Sequence, residues 1–334
     1  MVYKRIFPFF LIIFFSACIE QGEFSRTEFA LGTVCTVTLY EQGKNSLYND
    51  IFSRIREIEN LMSLNISSSD ISRINSNAGI KPVSVHENTF KVIERAVYFA
   101  QLSGGAFDPA IGPIVSLWGI SGDNPRCPSQ EEIDKILPLV NWRNIELDAN
   151  ANSVFLTQHG MSLDLGAIAK GYAADAAAEI LKNAGIKRGL VDLGGNIIVI
   201  GEKKDKSPWR VGIQNPYGNR RDFFGIVHTD EKTIVTSGIY ERNFEEDGRF
   251  FHHLFSPFDG YPADNGLISV TVIMDISMEA DALSTAAFVL GYEKGLFLIE
   301  SIPGVEAIFV FNDRSVQVTK GVEFTITDNT FFFR

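Results

Sequence analysis

The stretch LDLGAIAKGYAAD, residues 163–175, places one acid and one base, Asp164 and Lys170, among side chains that are almost all small or apolar. Two interpretations fit the segment taken alone. In the first, it is a packed Ala-rich helix with Asp164 as its N-cap and with the lysine reaching water along its aliphatic stem. In the second, Gly166 and Gly171 keep the backbone open for a nucleotide to approach. The rest of the chain has to decide.

The composition sets the first limits. The chain has 334 residues, of which 45% are hydrophobic and 12% aromatic, enough for the core of one large domain or two small ones. Acidic residues outnumber basic residues by 41 to 30, and the formal charge is -11. This balance argues against binding to a nucleic-acid backbone, which needs clusters of Lys and Arg. An acidic protein that binds an anionic ligand usually needs a metal ion or backbone N–H groups to do so.

The N-terminal segment has the pattern of an export signal. Basic Lys4 and Arg5 precede an apolar run at 6–15 that is too short to span a bilayer. Small residues then lead to Cys18, as in a bacterial lipobox, although Phe15 stands where that pattern usually has Leu. The alternative is an ordinary signal peptide with an incidental cysteine. We expect Cys18 to be lipidated and to hold the protein to a membrane on the periplasmic side of the bacterial cell envelope.

The predicted organisation is a lipoprotein signal peptide at 1–17, an anchor and linker at 18–26, and a globular domain at 27–334. The two remaining cysteines, Cys35 and Cys127, lack metal-type spacing. Cys35 lies in an alternating strand pattern and is expected to be a small buried residue. Whether the two form a disulfide stays open.

Apolar periodicity predicts an α+β fold with largely antiparallel sheets, because strands come in groups with helices interspersed. The polar passage at 120–136 is expected to be a surface insertion. Helices are predicted at 47–63, 86–105, 164–185 and 278–290. Strands are predicted at 27–41, around Ile145 and Val154, and at 189–202, 209–215, 223–229, 233–239, 267–273 and 305–312.

Two stretches suggest specific chemistry. EADALSTA (279–286) puts Asp281 and Thr285 four residues apart, hence on one helical face, where a carboxylate and a hydroxyl can bind Mg²⁺. The alternative is a buried Thr that bonds back to the carbonyl of residue 281, with Asp281 as an early-helix charge. FFHHLFSPFDGYP (250–262) has adjacent histidines, which in a strand point to opposite faces, so at most one faces a given pocket. That one could serve as a general base.

Together and in this order, the motifs resemble the ApbE family of FAD:protein FMN transferases, from Leu31 to beyond Ile308. The matching stretches are LGT, MS followed by SDISRIN, GGAFDP, GPIVSLWG, DLGAIAKGYAAD, LGGN, WRVGIQNP, TSGIYERNF, HH with DGYP, and ADALSTAAFVLG.

The resemblance implies a T-fold-like α+β architecture and a Mg²⁺-dependent cleavage of the FAD pyrophosphate. FMN would be attached through a phosphoester to a Thr of a target flavoprotein, typically a subunit of a membrane redox pump, with release of AMP. Some relatives instead hydrolyse FAD to FMN and AMP. A flavin-binding lipoprotein that does not turn FAD over is a further alternative.

The resemblance also implies roles for individual residues. His253 is the candidate base. The metal ligands would be the backbone carbonyl of Ala167 and the side chains of Asp281 and Thr285, with Ser284 adding to the shell. The residues expected to contact FAD are Leu31, Asn65, Ala106, Phe107, Asp108, Asp164, Lys170 and Leu254.

The chain departs from the family pattern at several positions. Asn65 stands where the pattern has a Tyr that packs on the flavin nucleotide, Ile239 stands where it has Asp, and the turn before GYP has Ser256 and Asp259. Loss of the aromatic wall at Asn65 would admit water to the phosphate and shift the reaction from transfer toward hydrolysis.

Overall fold

The computed structural model describes residues 24–41, 45–120, 122, 124–219 and 221–334. The predicted signal peptide and Cys18 lie outside these ranges. Over the described ranges, no helix is both long enough and apolar enough to cross a membrane. The α-helices are α1 (Asn45–Met62), α2 (Asp70–Ser76), α3 (Glu87–Leu102), α4 (Gly112–Trp118), α5 (Gln130–Ile136), α6 (Ala169–Asn183), α7 (Ser277–Leu290) and α8 (Tyr292–Glu300).

The strands follow the predicted groups and form one large sheet with three small ones. They are β1 (Phe24–Ala30), β2 (Thr33–Leu39), β3 (Val83–Ser84), β4 (Ile145–Asp148), β5 (Ser153–Leu156), β6 (Gly189–Leu193), β7 (Asn196–Ile200), β8 (Trp209–Gln214), β9 (Phe223–Thr229), β10 (Thr233–Gly238), β11 (Asn243–Glu246), β12 (Arg249–His252), β13 (Leu267–Met274), β14 (Glu306–Phe311), β15 (Ser315–Val318), β16 (Glu323–Ile326) and β17 (Phe332–Phe333). The nine-stranded sheet has the order β1-β2-β6-β7-β10-β13-β14-β15-β17 and is antiparallel except for the β15–β17 pair. This arrangement confirms the predicted antiparallel-rich α+β fold.

The central strands are covered on both faces, which explains their nearly continuous apolar sequences. In β14, Ala307 and Phe309 pack into the core that α1, α6, α7 and α8 share, whereas Ile308 and Val310 pack against the small β16-β9-β8 sheet. In β7, Val199 belongs to the second cluster and its two neighbours belong to the first. Because side chains alternate along a strand, a run such as EAIFVF requires apolar partners on both sides.

A third apolar cluster packs the end of α4 against β12 and the segment that follows it. Trp118, at the end of α4, is fully buried; its indole Nε1 donates to the Gly260 carbonyl at 2.8 Å and its ring packs on Phe251 and Phe255. Ile133 of α5 joins the same cluster with no exposed surface. The passage predicted as a surface insertion at 120–136 is largely exposed where it is described, and its second half is a capped helix that Ile133 anchors in this cluster.

The predicted strand at 27–41 is a hairpin of two strands. The chain reverses at Leu31 and Gly32, which have φ values of +53° and +68°. A leucine rarely adopts this region, so the local residues do not predict a turn at this position. The first strand begins at Phe24, three residues before the predicted start of the domain.

The helix predicted at 164–185 begins at Ala169 instead, and Asp164 is not its N-cap. The Asp164 carboxylate accepts from the Gly166 N–H at 2.7 Å, and its own N–H donates to the Pro109 carbonyl. This local turn holds residues 164–168 outside the helix. The interpretation of Asp164 as the N-cap of an Ala-rich helix is therefore wrong.

Both described cysteines are free thiols. Cys35 is fully buried in β2, where its Sγ lies 3.4 Å from the Ala30 carbonyl oxygen. Burial raises the pKa of this thiol to about 11. Cys35 is accordingly an unreactive core residue, as its strand pattern predicts.

Candidate active site

A cavity of about 260 Å³ lies where the β1–β2 turn, the loop before α4, the start of α6, the end of β10 and the segment after β12 meet α7. These six stretches come from separate parts of the sequence. Its lining includes Gly32, Thr33, Ala106, Phe107, Asp108, Ile111, Val115, Asp164, Gly166, Ala167, Lys170, Thr236, Ser237, Glu241, Arg242, His253, Leu254, Phe255, Asp281 and Thr285.

The wall formed by α6 and α7 is built around the Asp281 carboxylate, which is 3% exposed as a residue. One of its oxygens lies 3.3 Å from Lys170 Nζ, and the other accepts from the Gly171 N–H at 3.0 Å. Lys170 Nζ also donates to the Asn196 side-chain oxygen at 3.2 Å. Lys170, the base of the LDLGAIAKGYAAD stretch, is thus paired with Asp281, which lies 111 residues later in the chain.

Asp281 and Thr285 share one face of α7, as their spacing predicts, and both line the cavity. The hydroxyl that bonds back to the carbonyl of residue 281 belongs to Ser284, at 2.9 Å, while Thr285 Oγ1 lies 3.2 Å from Ser237 Oγ. Ser284 is fully buried and is absent from the cavity lining. Thr285 therefore keeps its hydroxyl at the cavity, whereas Ser284 supports the helix behind it.

The oxygen donors on this wall suit a hard cation that shares its shell with a ligand. Asp281 offers a carboxylate and Thr285 a hydroxyl, and Ala167 also lines the cavity. Among the residues that the structure describes, no group of three or more His, Cys, Asp or Glu side chains could hold a metal ion without further ligands. Mg²⁺ commonly binds through one or two carboxylates, with phosphate oxygens and water completing its octahedron. The donor set fits Mg²⁺ bound together with a phosphate ligand.

The segment Ala106-Phe107-Asp108 lines the cavity, and each of its residues is less than a tenth exposed. The Asp108 carboxylate accepts from the N–H groups of Ala110 at 2.8 Å and Trp142 at 3.0 Å. Burial raises its pKa to about 6, against the opposing effect of these two hydrogen bonds. Burial also raises the pKa of Asp164.

The two adjacent histidines face different cavities. His253 lines the main cavity and has its Nδ1 3.1 Å from the Arg242 carbonyl oxygen. Since a carbonyl oxygen only accepts, Nδ1 must carry the proton, and Nε2 is left with its lone pair. His252 borders a separate groove, and its Nδ1 accepts from the Leu254 N–H at 3.2 Å. Burial lowers the pKa of His253 to about 3 and that of His252 to about 4, so both rings are neutral at neutral pH.

The cavity brings together most of the predicted site residues. Leu254 lies on its wall with the acids and Lys170 described above. Leu31 and Asn65 are not part of the lining: the Leu31 N–H donates to Glu59 Oε1 at 2.8 Å, and Asn65 lies in an exposed turn after α1. Ser284 is the third predicted residue outside the lining.

Sequence reasoning missed Arg242 and Glu241, which line the cavity beside His253. Both lie in TSGIYERNF, directly after β10, where the chain leaves the sheet at the same edge as the cavity. A charged pair immediately after a buried strand is a signal that could have identified them. Burial raises the pKa of Asp164, and the charge of Arg242 opposes this effect, so a base and an acid act on each other in this part of the site.

The comparisons with known proteins agree with the resemblance seen in the motifs. The ApbE family model matches residues 31–309. The chain belongs to the ApbE family. The FAD:protein FMN transferase of Treponema pallidum is 38% identical over 317 residues, which cover 90% of this chain and 88% of the relative. The enzyme of the same name from Klebsiella pneumoniae is 36% identical, with 89% and 92% covered.

Solved ApbE structures share the fold. The ApbE protein of Thermotoga maritima superposes with a TM-score of 0.82 at 33% identity, covering 90% of this chain and 97% of that one. The flavin transferase ApbE of Vibrio cholerae gives 0.78 at 27% identity, with 93% and 98% covered. The predicted ApbE architecture is thereby confirmed.

The neutral histidines make stability depend on pH. Below pH 6.5 the unfolded chain binds a proton at His252, whereas the folded ring stays neutral down to about pH 4. Stability is therefore lost as the pH falls, by about 1–2 kcal/mol between pH 7 and pH 5 for this residue alone. His252→Phe lacks this titrating ring. We therefore expect its free energy of unfolding to fall by about 1–2 kcal/mol less between pH 7 and pH 5 than that of the unaltered protein.

Urea unfolding at the two pH values measures this difference. Asp108 and Asp175, whose folded pKa values are raised to about 6, change stability with the opposite sign, but they are common to both proteins and cancel in the comparison. An equal pH dependence in the two proteins would show that His252 is not buried in its neutral form.

Proposed function

We propose that this ApbE-family transferase cleaves the pyrophosphate of FAD in a Mg²⁺-dependent reaction and attaches FMN through a phosphoester to a Thr of a target flavoprotein, releasing AMP. The names of the relatives support FMN transfer as the activity. The single observation that carries the proposal is that Asp281, Thr285 and Lys170 meet on one wall of a cavity that also holds His253.

The charges of the cavity explain why a metal ion would be needed. Four acids, Asp108, Asp164, Glu241 and Asp281, line it against two bases. A pyrophosphate entering this site would meet net repulsion unless its charge were neutralised. Asp281, Thr285 and the carbonyl of Ala167 would hold the Mg²⁺, which when bound supplies that neutralisation on the phosphate oxygens.

In this proposal, His253 receives the proton of the acceptor hydroxyl. In the proposed step, the Thr oxygen bonds to the FMN phosphorus while the bond from that phosphorus to the bridging oxygen breaks, and AMP leaves with this oxygen. The hydroxyl proton passes to Nε2 of His253, the nitrogen left with a lone pair by the contact between Nδ1 and the Arg242 carbonyl. The ring is neutral before the step, because burial lowers its pKa to about 3.

Two alternatives use the same cavity. An FAD pyrophosphatase would put water in the place of the Thr hydroxyl. The motif pattern favours this outcome, because Asn65, in the exposed turn after α1 and outside the cavity lining, stands where the pattern has a Tyr. A flavin-binding lipoprotein would bind FAD and release no AMP. The proposed acceptor is a flavoprotein subunit of a membrane redox pump, and the proposed anchor at Cys18 would hold the enzyme at the same membrane.

Asp281→Ala is expected to abolish Mg²⁺-dependent release of AMP while the fold is kept. Removal of the carboxylate deletes the anionic ligand, and even changes to outer partners of a metal cost about tenfold or more in affinity. Asp275→Ala is the matched control: this acid lies just before α7, is 76% exposed and pairs with Lys232 outside the cavity. AMP is quantified by chromatography over a Mg²⁺ series. Normal turnover by Asp281→Ala at low Mg²⁺ would refute the assignment.

Asn65→Tyr is expected to shift the products from free FMN toward acceptor-bound FMN and to retain FAD more tightly. A tyrosine ring packed on the flavin nucleotide contributes about 0.5–1.5 kcal/mol beyond its buried area and excludes water. The exposed turn around Asn65 leaves space for the ring. Mass spectrometry of an acceptor with a candidate Thr motif gives the ratio of the two products. Asn65→Ala, which adds no ring, should leave the ratio as it is; the same ratio in the Tyr variant would show that position 65 does not control the partition.

Cys18→Ala is expected to abolish lipidation of the protein. The small residues before Cys18 and the short apolar run motivate this test. Cells are labelled with a radioactive fatty acid, and the immunoprecipitated protein is compared with its variant. Equal labelling of both would show that Cys18 is not the anchor.

A further inference from the structure

Helix α7 carries Asp281 and Thr285, yet it begins without a cap from its own segment. The residue at its N-cap position, Ile276, has no side chain able to accept a hydrogen bond, and the preceding acid, Asp275, is engaged with Lys232 at 2.6 Å. A helix start leaves backbone N–H groups that need acceptors. In α7 the acceptor comes from another helix.

That acceptor is Asp175, in the middle of α6. Its two carboxylate oxygens accept from the N–H groups of Ser277 at 2.9 Å and Met278 at 2.8 Å. A carboxylate at a helix N-terminus is favoured by the positive end of the helix dipole. Asp175, which is half-buried, therefore joins α6 and α7, the two helices that form the wall around Asp281, through both oxygens of its carboxylate.

One turn earlier, α6 and α7 are in backbone contact. A Cβ added at Gly171 would lie 2.3 Å from the Ser277 carbonyl oxygen, so no side chain fits between the helices there. The Gly171 N–H donates to Asp281, and the neighbouring Lys170 contacts the other oxygen of the same carboxylate. The position of α7 along α6 thus fixes where the Asp281 carboxylate lies relative to Ala167 and Lys170.

We propose that Asp175 is a positioning residue for the metal site: by capping α7 from α6, it sets the register in which Asp281 and Thr285 face Ala167. Asp175 itself does not line the cavity. The charges that act on it are those of Glu279, which pairs with Arg95 on α3, and of Lys182 on α6. Neither side chain provides an alternative acceptor for the two N–H groups, because Glu279 is already paired with Arg95 and a lysine only donates. The proposal rests on the proposed Mg²⁺-dependent function.

The test is a calorimetric titration of the purified protein with Mg²⁺ in the presence of ADP, a diphosphate that supplies the phosphate oxygens, and it needs no turnover. Asp175→Asn keeps the shape of the side chain but turns an NH₂ group toward one of the two backbone donors. We expect its Mg²⁺ dissociation constant to rise about tenfold or more, the effect of losing an outer partner of a metal ligand. Activity at saturating Mg²⁺ should then recover to within a few-fold of the unaltered enzyme.

Ser129→Ala is the matched control. Ser129 caps α5 and accepts from the Glu132 N–H, so its loss removes a helix cap that supports no predicted metal ligand. Its Mg²⁺ affinity should be unchanged although its melting temperature falls. If Asp175→Asn does not fold, Asp175→Glu retains the charge with a longer reach, and a weakened Mg²⁺ affinity in that variant gives the same answer.

The outcomes separate the two proposals. A folded Asp175→Asn or Asp175→Glu protein with normal Mg²⁺ affinity would overturn the positioning role and leave the proposed function standing. An unaltered protein that binds no Mg²⁺ with ADP would overturn both. An equal loss of affinity in Ser129→Ala would show that the effect is general destabilisation, which also overturns the positioning role.

Discussion

The close crossing of α6 and α7 is the constraint on which the site depends. Gly171 lets the two backbones touch, and in the same place its N–H binds the Asp281 carboxylate. A buried carboxylate is costly unless it is hydrogen-bonded and paired. Here the backbone donor and Lys170 satisfy it, so that the structure can hold a negative charge beside a cavity in a largely apolar helix pair. The small residues around Lys170, Gly171 above all, allow the two helices to approach closely.

The sheet provides the rigid base for this crossing. Because the central strands are apolar on both faces, the helices on one side and the small sheet on the other fix β7, β10 and β13 in place. Asn196 at the start of β7 contacts Lys170, and Ser237 at the end of β10 contacts Thr285. The polar groups of the site are thus attached to strand ends, where the ladder stops and the chain turns toward the cavity. Sites on such elements are held more precisely than sites on loops.

Much of the fold and the site could be predicted because the determining signals are local. The spacing of Asp281 and Thr285 is a property of one helix, and the opposite faces of His252 and His253 follow from strand geometry. Other features depend on distant parts of the chain. The partner of Lys170 lies 111 residues away, and no local rule separates Asp281 from Asp164 as its acid. The turn at Leu31 was also beyond prediction, because a leucine with positive φ is stabilised by its surroundings, including Glu59 of α1.

The same limit explains the error at the start of α6. By sequence, Asp164 is a good N-cap, and the helical pattern after it is continuous. In the structure, its backbone N–H is taken by Pro109 and its carboxylate by Gly166, so that a turn replaces the first part of the helix. Of the displaced residues, Asp164, Gly166 and Ala167 line the cavity. In a helix, their backbone groups would instead be engaged in hydrogen bonds within the helix. Because the chain forms a turn here instead of a helix, Ala167 lies at the cavity. Local sequence rules tend to fail at functional sites, and this turn is an example.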